Sequence, residues 1–210
     1  MADFDFYSIG HSNVPAERFV ALLGGAGISA VADVRTVPFS RFCPWFSAKN
    51  LTPLLAREGV DYLSYGDALG GRPRDASLYC DGVADYEAMA RQPDFAAGIE
   101  RLLAGAARRR DKGCICLMCA EREPLECHRC LLVARTLAER GLTIGHIRHD
   151  GTIEPHTTTE QRLLQLDRKD GDLFVTGQDE RLAAAYRSYA RAVAYRTTGV
   201  ERGATLKKSR

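Results

Sequence analysis

A chain of 210 residues with 45% hydrophobic and 27% charged side chains has the composition of one folded domain with an appendage, which excludes wholesale disorder and a collagen-like chain. No run of 18 apolar residues occurs, so no segment reads as a membrane span and no membrane partner is expected. The formal net charge of +2 hides an asymmetry: Arg181 to Arg210 carries eight bases and one acid, so the basic surface that nucleic acid would need is confined to the tail.

A chain of this length can bury about 70% of its extended surface without disulfides or metals as staples. Met1-Ala2-Asp3-Phe4-Asp5 has none of the features of a secretory signal, which gives a cytoplasmic expectation. In that compartment the seven cysteines read as buried thiols, catalytic groups or metal ligands rather than as a disulfide framework.

Short apolar runs alternate with helical patterns up to His156, the usual sign of a parallel sheet covered by helices. Phe4 to Ile9 reads as the first strand and Pro15 to Gly24 as a helix with Phe19, Leu22 and Leu23 on one face. Ile28 to Val34 is the second strand, Ser47 to Glu58 a helix and Val60 to Tyr65 the third strand. Gly66 to Asp75 reads as a functional loop, and Tyr86 to Arg110 as helix interrupted near Pro93. Cys114 to Cys119, six apolar residues in a row, is the fourth strand, expected where both faces are covered. Cys127 to Arg140 is a helix ended by Gly141, and Leu142 to Ile147 the fifth strand. Asp150-Gly151 marks a turn, Thr158 to Leu166 a short helix and Asp179 to Arg196 the last helix, before 14 frayed residues. The expected fold is therefore α/β: a Rossmann-like three-layer sandwich with a mostly parallel five-stranded sheet, divided into an α/β domain over 1–156 and a basic helical extension over 157–210.

In open parallel sheets ligands bind beyond the carboxyl ends of the strands. Those ends deliver Gly10-His11-Ser12, Asp33-Val34-Arg35, Gly70-Gly71-Arg72-Pro73 and Cys119-Ala120-Glu121, with Cys127-His128-Arg129 at a helix start. A helix start favours an anion, and the planar forks of Arg35, Arg41, Arg72 and Arg129 match phosphate or carboxylate, so a phosphate-bearing ligand fits best. The bland reading of the same arginines is a set of structural ion pairs with Asp33, Glu121 and Glu123. Cys127, beside His128 and Arg129, is the thiol with most reason to ionise, yet Cys119 and Cys127 read equally well as neutral groups lining a pocket. Asp33 and Glu121 compete as general acid or base, while His11 and His128 either orient groups or bond a loop backbone.

Two CxxC pairs, Cys116/Cys119 and Cys127/Cys130, imitate a zinc site. Strand alternation sends Cys116 and Cys119 to opposite faces, whereas Cys114 and Cys116 share one face as core residues. Only Cys119, Cys127 and His128 remain as a candidate chelating set, and no metal or other cofactor is assigned. The loop Pro38 to Ser47 carries four aromatic rings around Ser40 and Arg41, able to stack on a base or to pack on their own domain. On the last helix Leu182, Tyr186, Tyr189 and Val193 form a packing stripe, leaving Arg187 and Arg191 on a solvated face.

Taken in order, Ile9-Gly10-His11-Ser12, Asp33-Val34-Arg35, Ser40-Arg41, Gly70-Gly71-Arg72-Pro73, Cys119-Ala120-Glu121, Pro124 and Cys127-His128-Arg129 resemble the domain-of-unknown-function 488 family, from Tyr7 to about His156. Cys43 and Cys130 depart from the family pattern, where a polar residue and Ser are usual. The resemblance implies the fold and the place of the site, and supplies no reaction. The leading expectation is a cytoplasmic enzyme holding a nucleotide or a nucleic-acid end, with Ser12, Arg35, Arg41, Gly70, Gly71, Arg72 and Arg129 at the ligand. Asp33, Glu121, Cys119, Cys127, His11 and His128 would carry the chemistry. The alternatives are a non-catalytic nucleic-acid-binding accessory protein and a Cys/His metal or thiol redox protein.

Overall fold

A computed structural model describes residues 4–167 and 177–197. Its centre is a six-stranded sheet built from β1 (Phe6–Gly10), β2 (Ile28–Asp33), β3 (Asp61–Ser64), β6 (Cys114–Cys119), β7 (Ile144–Ile147) and β8 (Ile153–Pro155), in the order β3-β2-β6-β1-β7-β8. All pairings are parallel except β7 with β8. β4 (Tyr79–Cys80) and β5 (Val83–Ala84) form a separate antiparallel hairpin.

Side-chain alternation along buried strands divides the core in two. From β6, Cys116 and Met118 face one side, where α1 (Ala16–Gly25) contributes Phe19, Leu22 and Leu23 and α2 (Ala48–Arg57) contributes Leu51 and Leu55. Ile115, Leu117 and Cys119 face the other side, covered by α4 (Tyr86–Ala90), α5 (Pro93–Ala107), α6 (Arg135–Glu139), α7 (His156–Asp167) and α8 (Gln178–Val193). The molecule is thus a three-layer α/β sandwich, and each fully buried Leu or Phe in it contributes about 1.5–3 kcal/mol. Tyr186 and Ala185 of α8 lie in the larger of the two cores, so the C-terminal helix packs as part of this layer. Among the described residues no helix is long and apolar enough to cross a membrane.

Pro93 ends α4's run and opens α5 as a first-turn residue, the one helical position where its missing N–H costs nothing. Three parts of the sequence reading change. The sheet has six strands, because the Asp150-Gly151 turn folds Ile153–Pro155 back as an antiparallel edge, a segment too short to stand out as a strand. The loop after β3 is not wholly irregular, since Gly66–Leu69 forms the one-turn helix α3. The β4–β5 hairpin carries its signal in Asp81-Gly82, whose φ angles of 50° and 71° suit the turn that joins twisted strands. Cys127 to Arg140 is helical but not uniformly so: Arg129–Ala134 is π-helical and only then does α6 begin. Of the 14 terminal residues read as frayed, 198–210 lie outside the described residues.

Candidate functional site at the carboxyl edge of the sheet

β6 lies between β1 and β2, so the polar residues that follow these three strands are neighbours in space. The backbone continues the pairing past the strand ends, with the His11 N–H on the Cys119 carbonyl at 2.9 Å and the Val34 N–H on the Met118 carbonyl at 3.1 Å. Gly10 makes this approach possible: a Cβ there would lie 1.7 Å from the Glu121 carbonyl oxygen. Beyond the strands opens a cleft of about 580 Å³, with His11, Arg35, Cys119, Cys127 and His128 at its floor and Phe39, Arg72, Glu121, Tyr195 and Arg196 around it.

Arg35 and Asp33 form a closed unit. The Arg35 Nε and Nη2 donate to the two Asp33 oxygens at 2.8 and 2.6 Å, the Arg35 backbone N–H adds a third bond at 3.1 Å and the Tyr62 hydroxyl a fourth at 2.7 Å. Asp33 is 1% exposed and its two oxygens accept four hydrogen bonds. Arg35 also donates to the Phe46 carbonyl at 2.8 Å and, through Nη1, to His11 Nε2 at 3.0 Å. That donor fixes the His11 tautomer, with Nδ1–H on the Ser12 carbonyl at 2.8 Å. Burial, reinforced by the Arg35 charge, pushes His11 down to about 4, so it stays neutral at pH 7.

The thiol centre lies beside this unit. His128 donates from Nε2 to the Val34 carbonyl at 2.8 Å, which turns Nδ1 toward Cys119 Sγ and Cys127 Sγ, each 3.8 Å away. Gly71 admits the ring, since a Cβ there would meet His128 at 2.7 Å. Cys127 precedes the helical run, and its sulfur accepts the Arg129 backbone N–H at 3.5 Å. Burial opposes ionisation of Cys127, but a hydrogen bond from the Cys119 thiol and the charges of Arg129 and His128 outweigh it and hold Cys127 well below the ordinary thiol range. Cys119, as the donor in that bond and buried, is pushed up. Burial acts against the imidazolium of His128 as well, and the Cys127 charge more than offsets it, so His128 rises. Partial burial, together with Cys127 and Glu126, raises Glu121 at the rim above the usual carboxylate range. The ligand atoms of Cys119, Cys127 and His128 lie within 4.8 Å of one another, so the same three groups can also hold a soft metal ion.

The other expected site residues fall in different places. Arg129 is buried beneath the floor and bonds the Glu121 and Arg122 carbonyls at 2.5 and 3.1 Å; it braces the loop instead of facing a ligand. Arg41 is exposed and, with Ser12 and Gly70, does not line the cleft. Of the aromatic loop, Phe46 stacks on His11 with ring centroids 4.2 Å apart, Trp45 donates to the Val14 carbonyl at 3.1 Å, and Phe42 is 89% exposed. Among the cleft residues not read as site residues from the sequence are Glu126, Tyr195, whose ring lies under the Arg72 guanidinium at 4.7 Å, and Arg196, whose Nε is buried without a partner. Neither Arg72 nor Arg196 has a carboxylate at ion-pair distance among the described residues. Arg187 and Arg191 are held instead by Glu87 and Asp81.

A family model described as Domain of unknown function DUF488 matches residues 15–136, which takes in the residues from Asp33 to Arg129 and leaves Gly10 to Ser12 and β7 outside. No curated protein and no solved structure matches the chain. With more than half of its 210 residues covered by that model, the chain belongs to the DUF488 family.

Proposed function

We propose that this protein is an enzyme that binds a phosphate-bearing ligand, a nucleotide or a nucleic-acid end, in the cleft and uses Cys127 as its nucleophile. The observation that carries this reading is a single arrangement: a thiolate favoured by Cys119, His128 and the start of a helical run, at the floor of a cleft walled by Arg72 and Arg196. Guanidinium groups without carboxylate partners suit a phosphate, and the two come from segments 124 residues apart. Phe39, 68% exposed at the rim, offers a face on which a base can stack. The thiolate would attack phosphorus, forming an S–P bond as the P–O bond to the leaving oxygen breaks, and water would then cleave the S–P bond to release phosphate and restore the thiol. Glu121, with its raised affinity for a proton, would protonate the leaving atom. His11 and Arg35 would orient the bound group, the second through the Nη1 edge that already meets His11.

Calorimetric titration with adenosine monophosphate and with inorganic phosphate tests the binding half. Wild-type protein should bind the nucleotide, and Arg72→Ala and Arg196→Ala should each weaken it by about 10- to 100-fold, the value of a charge-assisted pair. Cys127→Ser should bind as wild type does. Absence of binding by wild type, or wild-type affinity in both arginine variants, overturns the reading.

A further inference from the structure

A second cysteine–histidine group lies in the core on the helical side of the sheet, away from the cleft. Cys130 Sγ from the π-helical segment, His146 Nε2 from β7 and His156 Nδ1 from the start of α7 lie within 4.8 Å of one another, all three residues buried. The two imidazole nitrogens are 2.9 Å apart, and Cys130 Sγ is 3.9 Å from His146 Nε2. Each ring is anchored through its other nitrogen: His146 Nδ1 meets the Ser8 hydroxyl at 2.7 Å, and His156 Nε2 meets the Tyr186 hydroxyl at 3.0 Å, which in turn reaches Glu160 at 3.0 Å. The two inner nitrogens share a hydrogen bond, and the sulfur lies in reach of His146. Rings oriented by outer partners so that their inner nitrogens converge with a sulfur are what a metal site requires.

We propose that Cys130, His146 and His156 bind one soft transition-metal ion, with copper(I) the best match. The donors are sulfur and nitrogen, which excludes calcium and magnesium chemistry. The described residues bring three such donors together and no fourth, which suits an ion content with trigonal coordination. A first-row ion held trigonally at ~2.0 Å from nitrogen and ~2.3 Å from sulfur needs those donors roughly 3.5–3.7 Å apart, so the two imidazole nitrogens must part by about 0.6 Å while the sulfur already lies close to its distance from His146. Charge points the same way. Copper(I) with one thiolate is neutral, and the nearby Arg148 and Arg162 are already matched by Glu123 and Glu154, so the filled site adds no net charge to the core.

The test is competitive titration of the full-length, chelator-treated protein with buffered copper(I), and separately with zinc(II), under reducing conditions. In a Cys119→Ser/Cys127→Ser background, which removes the thiols of the cleft, one equivalent of copper(I) should bind and release the Cys130 proton. Affinity should fall about 100-fold or more when Cys130→Ser or His156→Gln is added to that background, which separates this site from the cleft. Cys130→Ser changes a single atom, so circular dichroism matching wild type makes its result decisive even if His156→Gln misfolds. Full binding retained when Cys130→Ser is added, absence of a stoichiometric ion in the double variant, or preference for zinc over copper would each overturn the assignment.

Discussion

The molecule holds two cysteine–histidine groups of nearly the same composition, and their environments drive them to opposite states. At the cleft, Cys127 accepts a backbone N–H and sits beside a donor thiol and two cationic groups, so the thiol is driven toward thiolate and His128 toward imidazolium. In the core, burial dominates: the Cys130 thiol is pushed up and His156 is pushed down to about 4. Arg129 acts electrostatically on both groups, and at Cys127 it combines with the Cys119 and His128 hydrogen bonds that lower the thiol, whereas at Cys130 burial outweighs it. Residue type therefore does not decide which thiol is reactive; the donors aimed at it do.

The largest effect should come from Arg129, which the two groups share. Arg129→Met leaves the Glu121 and Arg122 carbonyls without donors inside the protein, and unfolding should become easier by about 3 kcal/mol in a denaturant titration. The same variant should slow alkylation of Cys127 at neutral pH. A stable variant with unchanged alkylation would remove Arg129 from the comparison.

Acid sharpens the comparison through His11, a third histidine held neutral. Its pKa is about 4 in the folded protein against 6.5 unfolded, so the unfolded chain binds the extra proton between those values. Stability from this group is present above pH 6.5 and is lost as pH falls toward 4, by up to ~1.4 kcal/mol per pH unit. In His11→Gln, thermal unfolding followed across that window should lose up to one proton's worth of slope. An unchanged slope would mean that His11 is charged in the fold.

Smaller effects concern α8. Tyr186→Phe removes the hydroxyl that links His156 to Glu160 and should cost about 1–2 kcal/mol, with faster amide exchange along α8. Arg191→Ala removes an exposed ion pair with Asp81 and should change stability by less than about 0.5 kcal/mol. A larger loss there would show that α8 is held by its surface charges rather than by Tyr186 and Ala185.

How far the sequence could be read follows from the same physics. Strand periodicity placed β1, β2, β3, β6 and β7, and the rule that strand ends carry sites drew attention to His11, Arg35, Cys119, Glu121, Cys127 and His128, all of which line one cleft. The orientation of a guanidinium was not legible. Whether Arg129 faces a ligand or the Glu121 carbonyl depends on how the loop after β6 closes over Gly10, a contact between segments 111 residues apart. Tyr195 and Arg196 reach the cleft from the far end of the chain, with only a basic composition to mark them. Cys130, His146 and His156 lie on three different elements, and no spacing motif ties a strand histidine to one at the next helix start.

The central claim is that Cys127 ionises more readily than an ordinary thiol, and the most direct measurement is its alkylation rate by iodoacetamide against pH, read by peptide mass spectrometry with Cys127→Ser as the control. Between pH 6 and 8 the rate at Cys127 should rise clearly less than that of an ordinary thiol, which accelerates roughly a hundredfold. A rise at Cys127 as steep as that of an ordinary thiol would contradict the account.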